Sequence, residues 1–459
     1  MNAQRNEREF MNVSLLEGKI TRAIVIFAIP LFFSQLFQTL YNTVDTVLIG
    51  YFLGENSLAA MGATTALFDL IVGFCTGCGS GFGIIAGQNF GAKNYRELKK
   101  SVGQSIVLSL IIGLVLTVIS YAALPALLHI LNTPDEIFVE ALTYIRFIIV
   151  GMLVTIYYNL AAGMLRAVGD SVTPLIILAI SSVLNVFLDC FCILVLNMGV
   201  LGAAVATVVA QLISTIICLI WIVKKKQLLI PEKEDYAPDG PRMKALFAQG
   251  LSMGLMSSIV AIGSVILQSA INALGTLIIA AHTAARRMYM ILGMPMFALM
   301  TSLATFVAQN TGADQYDRII KAVRSCNRMC VLYCIILSVI IFGCSNWLIA
   351  ILSGSSDPTV LANGSMYLRI NIPFFFALGI LLNLRSTLQG LGKKIVPVTS
   401  SVIELIGKII FTYLFIPRFG YIGVCWTEPV IWCFMALYLM IMYMRLNLFV
   451  EKDLKPAVV

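Results

Sequence analysis

Two carboxylates, Asp45 and Asp189, stand in stretches of sequence that otherwise avoid charge. Asp45 is the only charged residue between Ala23 and Leu53, and Asp189 the only one between Val172 and Leu196. The first stretch would make a helix of about 46 Å, against roughly 30 Å of bilayer hydrocarbon. An acid held at such a depth is costly, and it marks an ion or substrate path unless a packing network absorbs it. Ser34, Gln38, Asn42 and Asp45 follow one another at i, i+4, i+8 and i+11, a polar stripe on an apolar helix. Ser182, Asn185 and Asp189 repeat the device at i, i+3 and i+7. Two carboxylates in a low-dielectric setting, with hydroxyls and amides around them, cannot both stay charged without a counter-ion. Such a group holds a proton or, with Asn and Thr oxygens added, Na⁺ at Asp45, Asn185 and Asp189.

The elements that carry these residues follow from composition. Of 459 residues, 59% are hydrophobic and 12% charged, with a mean hydropathy of +0.93. A soluble domain has roughly 25% charged residues. The chain therefore reads as an all-α polytopic membrane protein, its apolar runs being far too long for barrel strands. Twelve spans are expected at about 20–51, 57–88, 100–125, 137–163, 172–196, 199–223, 246–272, 277–308, 324–350, 360–384, 395–416 and 420–444. One long polar segment, residues 224–245, separates spans 6 and 7. It divides the chain into an N-terminal lobe (1–223) and a C-terminal lobe (246–459).

The lobes are copies of one another. "QNFGAKNYRELKKSV" from Gln88 and "QNTGADQYDRIIKAV" from Gln309 agree at seven of fifteen positions, 221 residues apart. Gly54 with Ala59 and Ala60 matches Gly275 with Ala280 and Ala281 at the same offset. At an offset of 223, Tyr144 and Arg146 match Tyr367 and Arg369, and Gly169 and Pro174 match Gly392 and Pro397. Six spans per repeat is an even number, so the repeats run in the same direction, a transporter architecture. With both termini inside, all Lys and Arg except Arg146, Arg286, Arg287, Arg369, Lys408 and Arg418 fall on the inner side or at its helix ends. The positive-inside rule fixes that orientation. The net charge of +8 is accounted for by this topology, with no nucleic-acid partner. The polar first 22 residues, with Arg5, Arg8, Lys19 and Arg22, read as a cytoplasmic lead-in with no cleavage site.

With that orientation, Asp45 lies about 33 Å and Asp189 about 26 Å from the inner starts of their helices, both in the outer half. Thr64, Tyr144 and Thr207 lie about 10 Å below the outer ends of spans 2, 4 and 6, near the same level. The second lobe lacks the acid pair: Ile266 stands opposite Asp45, and Lys408 and Thr412 opposite Asn185 and Asp189. It carries Arg286, Arg287, Glu404, Lys408 and Glu428 instead. These read as a self-neutralising network, with Glu404 and Lys408 an i, i+4 pair. Cys75 and Cys78 form a CxxC, and Cys326, Cys330 and Cys334 share one helix face. No second pair or His cluster completes a metal site, so both sets read as packing residues. Five Met between Met288 and Met300 read as packing, or as an adaptable binding wall.

"NTVDTVLIGYFLGENSLAAMG", "GQNFGAKNY", "GMLRAVGDSVTP" and "NVFLD" in the first lobe, with "LQGLGKKIVP" and "TEPVIW" in the second, resemble the multidrug and toxic-compound extrusion (MATE) family, bacterial type. The resemblance covers nearly the whole chain. It implies two six-helix lobes around a V-shaped central cavity. The function it implies is export of cationic or amphipathic compounds from a bacterial inner membrane by H⁺ or Na⁺ antiport, by a monomer without other cofactor. It places the family's span 1 acid on Asp45, its span 5 Asn and Asp on Asn185 and Asp189, and its span 6 Thr on Thr207. The span 4 Tyr and Asn fall on Tyr144 and Asn159, with Gln38 and Asn42 as supporting polar residues. Span 7 has no acid where one branch of the family carries a Glu, and Asp69 of span 2 has no place in the pattern.

Other classes fit less well. A lipid-linked oligosaccharide flippase of the same superfamily would line its cavity with cations. An enzyme would need a nucleophile, metal set or His pair, and the two His, His129 and His282, lie in different lobes. A channel has no use for a duplicated scaffold with an acidic site in one lobe. No GxxxxGK[ST] loop is present to couple ATP turnover.

Overall fold

The computed structural model describes residues 14–131 and 133–450, with side chains through Leu446; Arg5 and Arg8 lie outside this range. It contains twelve spans, and no strand occurs among the described residues. The first lobe provides α1 (Ile20–Leu53), α2 (Glu55–Gly91) and α3 (Tyr95–Ile130). Then come α4 in two pieces (Asp135–Val150 and Met152–Ala167), α5 (Val172–Cys190) and α6 (Val200–Lys225). The second provides α7 (Gly240–Asn272), α8 (Thr276–Gly312), α9 (Tyr316–Ser353), α10 (Pro358–Asn371 with Phe375–Gly390), α11 (Ile395–Ile410 and its continuation to Phe419) and α12 (Tyr421–Val450). Helices are the outcome because lipid offers no partner to a free amide or carbonyl.

Helix ends follow local chemistry. Asn94 caps α3 by accepting from the Glu97 amide at 3.2 Å. Asp357 caps α10 by accepting from the Thr359 amide at 2.7 Å, with Pro358 in the first turn. The 48° bend within α4 is invisible to hydropathy. It falls at Gly151, where any Cβ would run into the Val208 side chain of α6.

The duplication is written into the backbone. Left-handed residues recur at matched positions: Gly54 and Gly275, Lys93 and Asp314, Gly169 and Gly392, Gly199 and Gly420. A five-residue π turn ends α5 at Phe191–Val195, and its counterpart interrupts α11 at Phe411–Phe415. A π turn rotates and widens the helix locally, and such turns gather at functional sites.

The chain forms two compact units that cut across the boundary read from the linker. One comprises the segment ending at Gly18, Ile26–Ser258 and Ala308–Asp314; the other comprises Lys19–Val25, Ile259–Val307 and the chain from Gln315. In the first unit α2 is the central helix. Gly77 and Gly81 meet the backbone of α7 at Met253 and Gln249, while Gly79 and Gly163 bring α2 against α4. Between lipid-embedded helices, where burial of apolar surface supplies little, such small residues give the backbone contact that binds. The polar segment 224–245 is docked rather than loose. Arg96 pairs with Asp235 at 3.0 Å, Lys99 with Glu232 at 3.0 Å, and Arg242 with Glu97. In the second unit, the start of α1 is held by Thr21 to Ser325 at 2.7 Å and by Ser302 to the Ile24 carbonyl at 2.8 Å.

The duplicated QNxG motifs meet each other. A Cβ on Gly91 would fall on the Gln309 carbonyl, and one on Gly312 on the Gln88 carbonyl. The contact is reciprocal, and its four residues are related by the 221 offset. Backbone cannot yield as a side-chain tip does. Gly91→Ala and Gly312→Ala should therefore each cost about 1–3 kcal/mol, read as a lower melting temperature of purified protein. The double variant should lose less than the sum, since both act on one contact. Alanine variants melting with the wild type would show that this contact does not hold the fold.

Candidate functional site

α1 and α5 bring the acids together. Asp45, Asn185 and Asp189 are all buried. The Asn185 amide, oriented so that its nitrogen meets the acids, donates to Asp189 Oδ2 at 2.9 Å and to Asp45 Oδ1 at 3.0 Å. Asp189 and Tyr41 stand beside Asp45. Tyr41 in turn donates to Thr207 Oγ1 of α6 at 3.2 Å. Tyr144 of α4 is buried in the electrostatic field of both acids. Four helices thus converge on one carboxylate pair, and the π turn of α5 begins two residues past Asp189.

The pair is short of donors. Asp189 Oδ1 is buried without a hydrogen-bond partner among the described residues. An ionised carboxylate only accepts, so two of them side by side repel unless a proton or cation lies between. With one proton, one acid donates to the other and Asn185 serves the remaining oxygens. Such a cluster can take up and give back a single positive charge inside the membrane.

Part of the expected polar layer is not brought in. Gln38 and Asn42 share the α1 stripe with Asp45, yet both are exposed. Asn159 turns back to the Thr155 carbonyl at 2.9 Å, and Thr64 to that of Met61 at 2.8 Å. Tyr41 was missed by the sequence reading, although its place one turn before Asp45 is the signal that finds it.

The second unit answers with two ion pairs. Arg286 donates to Glu428 Oε1 at 2.7 Å and to the Tyr367 hydroxyl at 3.4 Å, and lies over the Tyr289 ring at 4.7 Å. Lys408 donates to Glu404 Oε1 at 2.9 Å and to Ser264 Oγ at 3.4 Å. Arg287 is exposed and belongs to neither pair, contrary to the network read from sequence. Its place is taken by Arg385, 3.9 Å from Glu404 and bonded to Ser400 Oγ at 3.1 Å. By the repeat offsets, Tyr367 corresponds to Tyr144, Glu428 to Thr207 and Lys408 to Asn185. The place that holds an open acid pair in one repeat thus holds charges that neutralise each other in the other.

Fold and site define a polytopic helical membrane protein of duplicated architecture, with one intramembrane acidic centre. The MatE family profile matches residues 30–191 and again 252–414, one copy per repeat. The chain belongs to the MatE family. It is 28% identical over 314 residues to the probable multidrug resistance protein YoeA of Bacillus subtilis, covering 66% of this chain and 67% of that one. It is 22% identical over 444 residues to the multidrug export protein MepA of Staphylococcus saprophyticus, covering 95% and 96%. Among solved structures, a crystal structure of MATE in complex with MaL6 superposes with a TM-score of 0.87 at 22% identity, covering 96% of this chain and 99% of that one. A superfamily transporter from Pyrococcus furiosus, described as having a binding pocket of reverse polarity, superposes with a TM-score of 0.87 at 24% identity, with the same coverage.

Proposed function

We propose that the protein is a secondary active exporter that moves cationic or amphipathic organic compounds out of the cell in exchange for an inward-moving cation. The observation that carries this reading is the buried Asp45–Asn185–Asp189 cluster. A proton is the coupling ion that suits it better than Na⁺. Two carboxyls side by side can share a single proton with no further ligand, whereas Na⁺ would also draw on the oxygens of Asn185 and its neighbours. The curated relatives are described as multidrug resistance or multidrug export proteins, which supports small organic molecules as cargo.

In this scheme both termini face the cytoplasm of a bacterial cell, and the exporter works as a monomer by alternating access. The parallel repeat supports the mechanism. The deprotonated pair draws in a cation and protonation releases it. With one proton the pair carries one charge fewer, which lowers the cost of moving it through apolar surroundings. The test is transport in proteoliposomes with H⁺ and Na⁺ gradients imposed independently. Uphill movement of tetraphenylphosphonium driven by a proton gradient alone is expected. Movement driven only by Na⁺ would assign that ion to the pair, and downhill flux indifferent to both gradients would sink the antiport reading.

A further inference from the structure

α2 differs from its neighbours in what it leaves uncovered. Its exposed positions are Glu55 and Asn56 at the end, then Ala59, Gly62, Thr65, Asp69 and Thr76. Among the described residues no large apolar side chain between Phe52 and Tyr95 is exposed. α3 shows the contrast, uncovering Leu110, Ile111, Leu114, Val115, Val118 and Ile119, the surface that a helix offers to lipid. A helix whose uncovered face is small or polar throughout does not face hydrocarbon. It lines water.

Asp69 is the only charge on α2 past Glu55. It lies about 21 Å along a helix of about 54 Å, hence deep in the membrane. The residue is exposed, and its carboxylate has no hydrogen bond or ion pair among the described residues. It also stands where the contact of α2 with α7 ends. Cβ atoms on Gly81 and Gly77 would collide with α7 backbone, and one on Gly73 would lie 3.6 Å from Ser257 Cβ. Asp69 is the next position on that i, i+4 line, and Gly62 beyond it has nothing within 4 Å. Asp45 lies about 12 Å from the neighbouring end of α1, so Asp69 is roughly 9 Å farther along the helix axes.

We propose that Asp69, on the water-lined face of α2 with Thr65 and Thr76, is a binding position for the positive charge of an organic cation, distinct from the Asp45–Asp189 pair. An unpaired carboxylate on a water-lined face at this depth attracts a counter-charge, and a lipophilic cation supplies one while its apolar body tolerates the setting. Asp69 then anchors the charge of the organic cation within reach of the Asp45–Asp189 pair, where exchange with the coupling ion takes place. The assignment rests on the export reading above, and the experiment keeps their failures apart.

Thr65→Cys, Thr76→Cys and, as a lipid-facing control, Ile111→Cys are treated with a cationic methanethiosulfonate, and the modified site is located by peptide mass spectrometry. Residues 65 and 76 should react and be protected by tetraphenylphosphonium, while residue 111 stays unmodified. Equilibrium dialysis then measures tetraphenylphosphonium binding to purified protein. Asp69→Asn should weaken it by about tenfold, and Asp69→Glu should restore most of it. Unreactive cysteines at 65 and 76, or an Asp69→Asn protein that binds the cation as tightly as wild type, would overturn the assignment. If Asp69→Asn does not fold, the labelling and its protection decide alone. A wild type that moves no organic cation under any gradient would remove the export reading, and this proposal with it.

Discussion

Asp45→Asn protein should insert and fold like the wild type, yet move its substrate no faster than protein-free liposomes when a gradient is imposed. The substitution leaves shape almost unchanged and fixes the chemistry. A carboxamide donates to Asp189 permanently, as a protonated Asp45 would for only part of a cycle. The cluster then stays close to its singly protonated form: Asn185 still meets Asp189, the new amide can donate to Asp189, and one of the two exchangeable acids is gone. Folding has little to lose, because a buried carboxylate served by one amide donor is replaced by a group that is easier to satisfy. Asp189→Asn should weaken gradient-driven transport and shift its dependence on pH, since the protons of the pair belong to both acids. The measurement is the initial rate of tetraphenylphosphonium movement in proteoliposomes over a pH series, with size-exclusion profiles confirming the fold. Asp45→Asn protein that pumps at the wild-type rate with the wild-type pH profile would make Asp45 a packing residue.

The largest effect on stability is expected in the other unit. Lys408 is almost fully enclosed, and its partner Glu404 is largely so. Lys408→Met would leave the Glu404 carboxylate with only Arg385, at 3.9 Å. Stranding a buried ion costs about 3–5 kcal/mol, and the distant guanidinium should hold the loss to the lower end. Combining Lys408→Met with Glu404→Gln should recover most of it, because the stranded charge is removed. Combining it with Glu428→Gln should not, since Glu428 is served by Arg286 at 2.7 Å. Thermal unfolding of the purified variants in detergent distinguishes these outcomes. Recovery with Glu428→Gln and none with Glu404→Gln would reverse the pairing. The Arg286–Glu428 and Lys408–Glu404 pairs give each of the two acids named for the second repeat a cation of its own.

Sequence alone determined the twelve spans, the parallel repeat and the level of each polar residue, and it did so for a physical reason. In hydrocarbon the backbone must close its own hydrogen bonds, so every span is a helix and a rise of 1.5 Å per residue turns sequence position into depth. Asp45, Asn185, Asp189, Tyr144 and Thr207 were legible as members of one layer on that basis. What depth cannot supply is the neighbour. Gln38 lies on nearly the same side of α1 as Asp45, but about two turns away, where no helix covers it. Arg287 follows Arg286 in sequence, yet the helical rotation of about 100° between them takes one to Glu428 and leaves the other exposed. Arg385 enters the Glu404 pair from a different span, as Tyr41 enters the acid cluster through Thr207 of α6. The bend at Gly151 and the crossing of Gly91 with Gly312 belong to the same class. Each depends on how closely a second helix approaches, which only the packing of the whole unit decides.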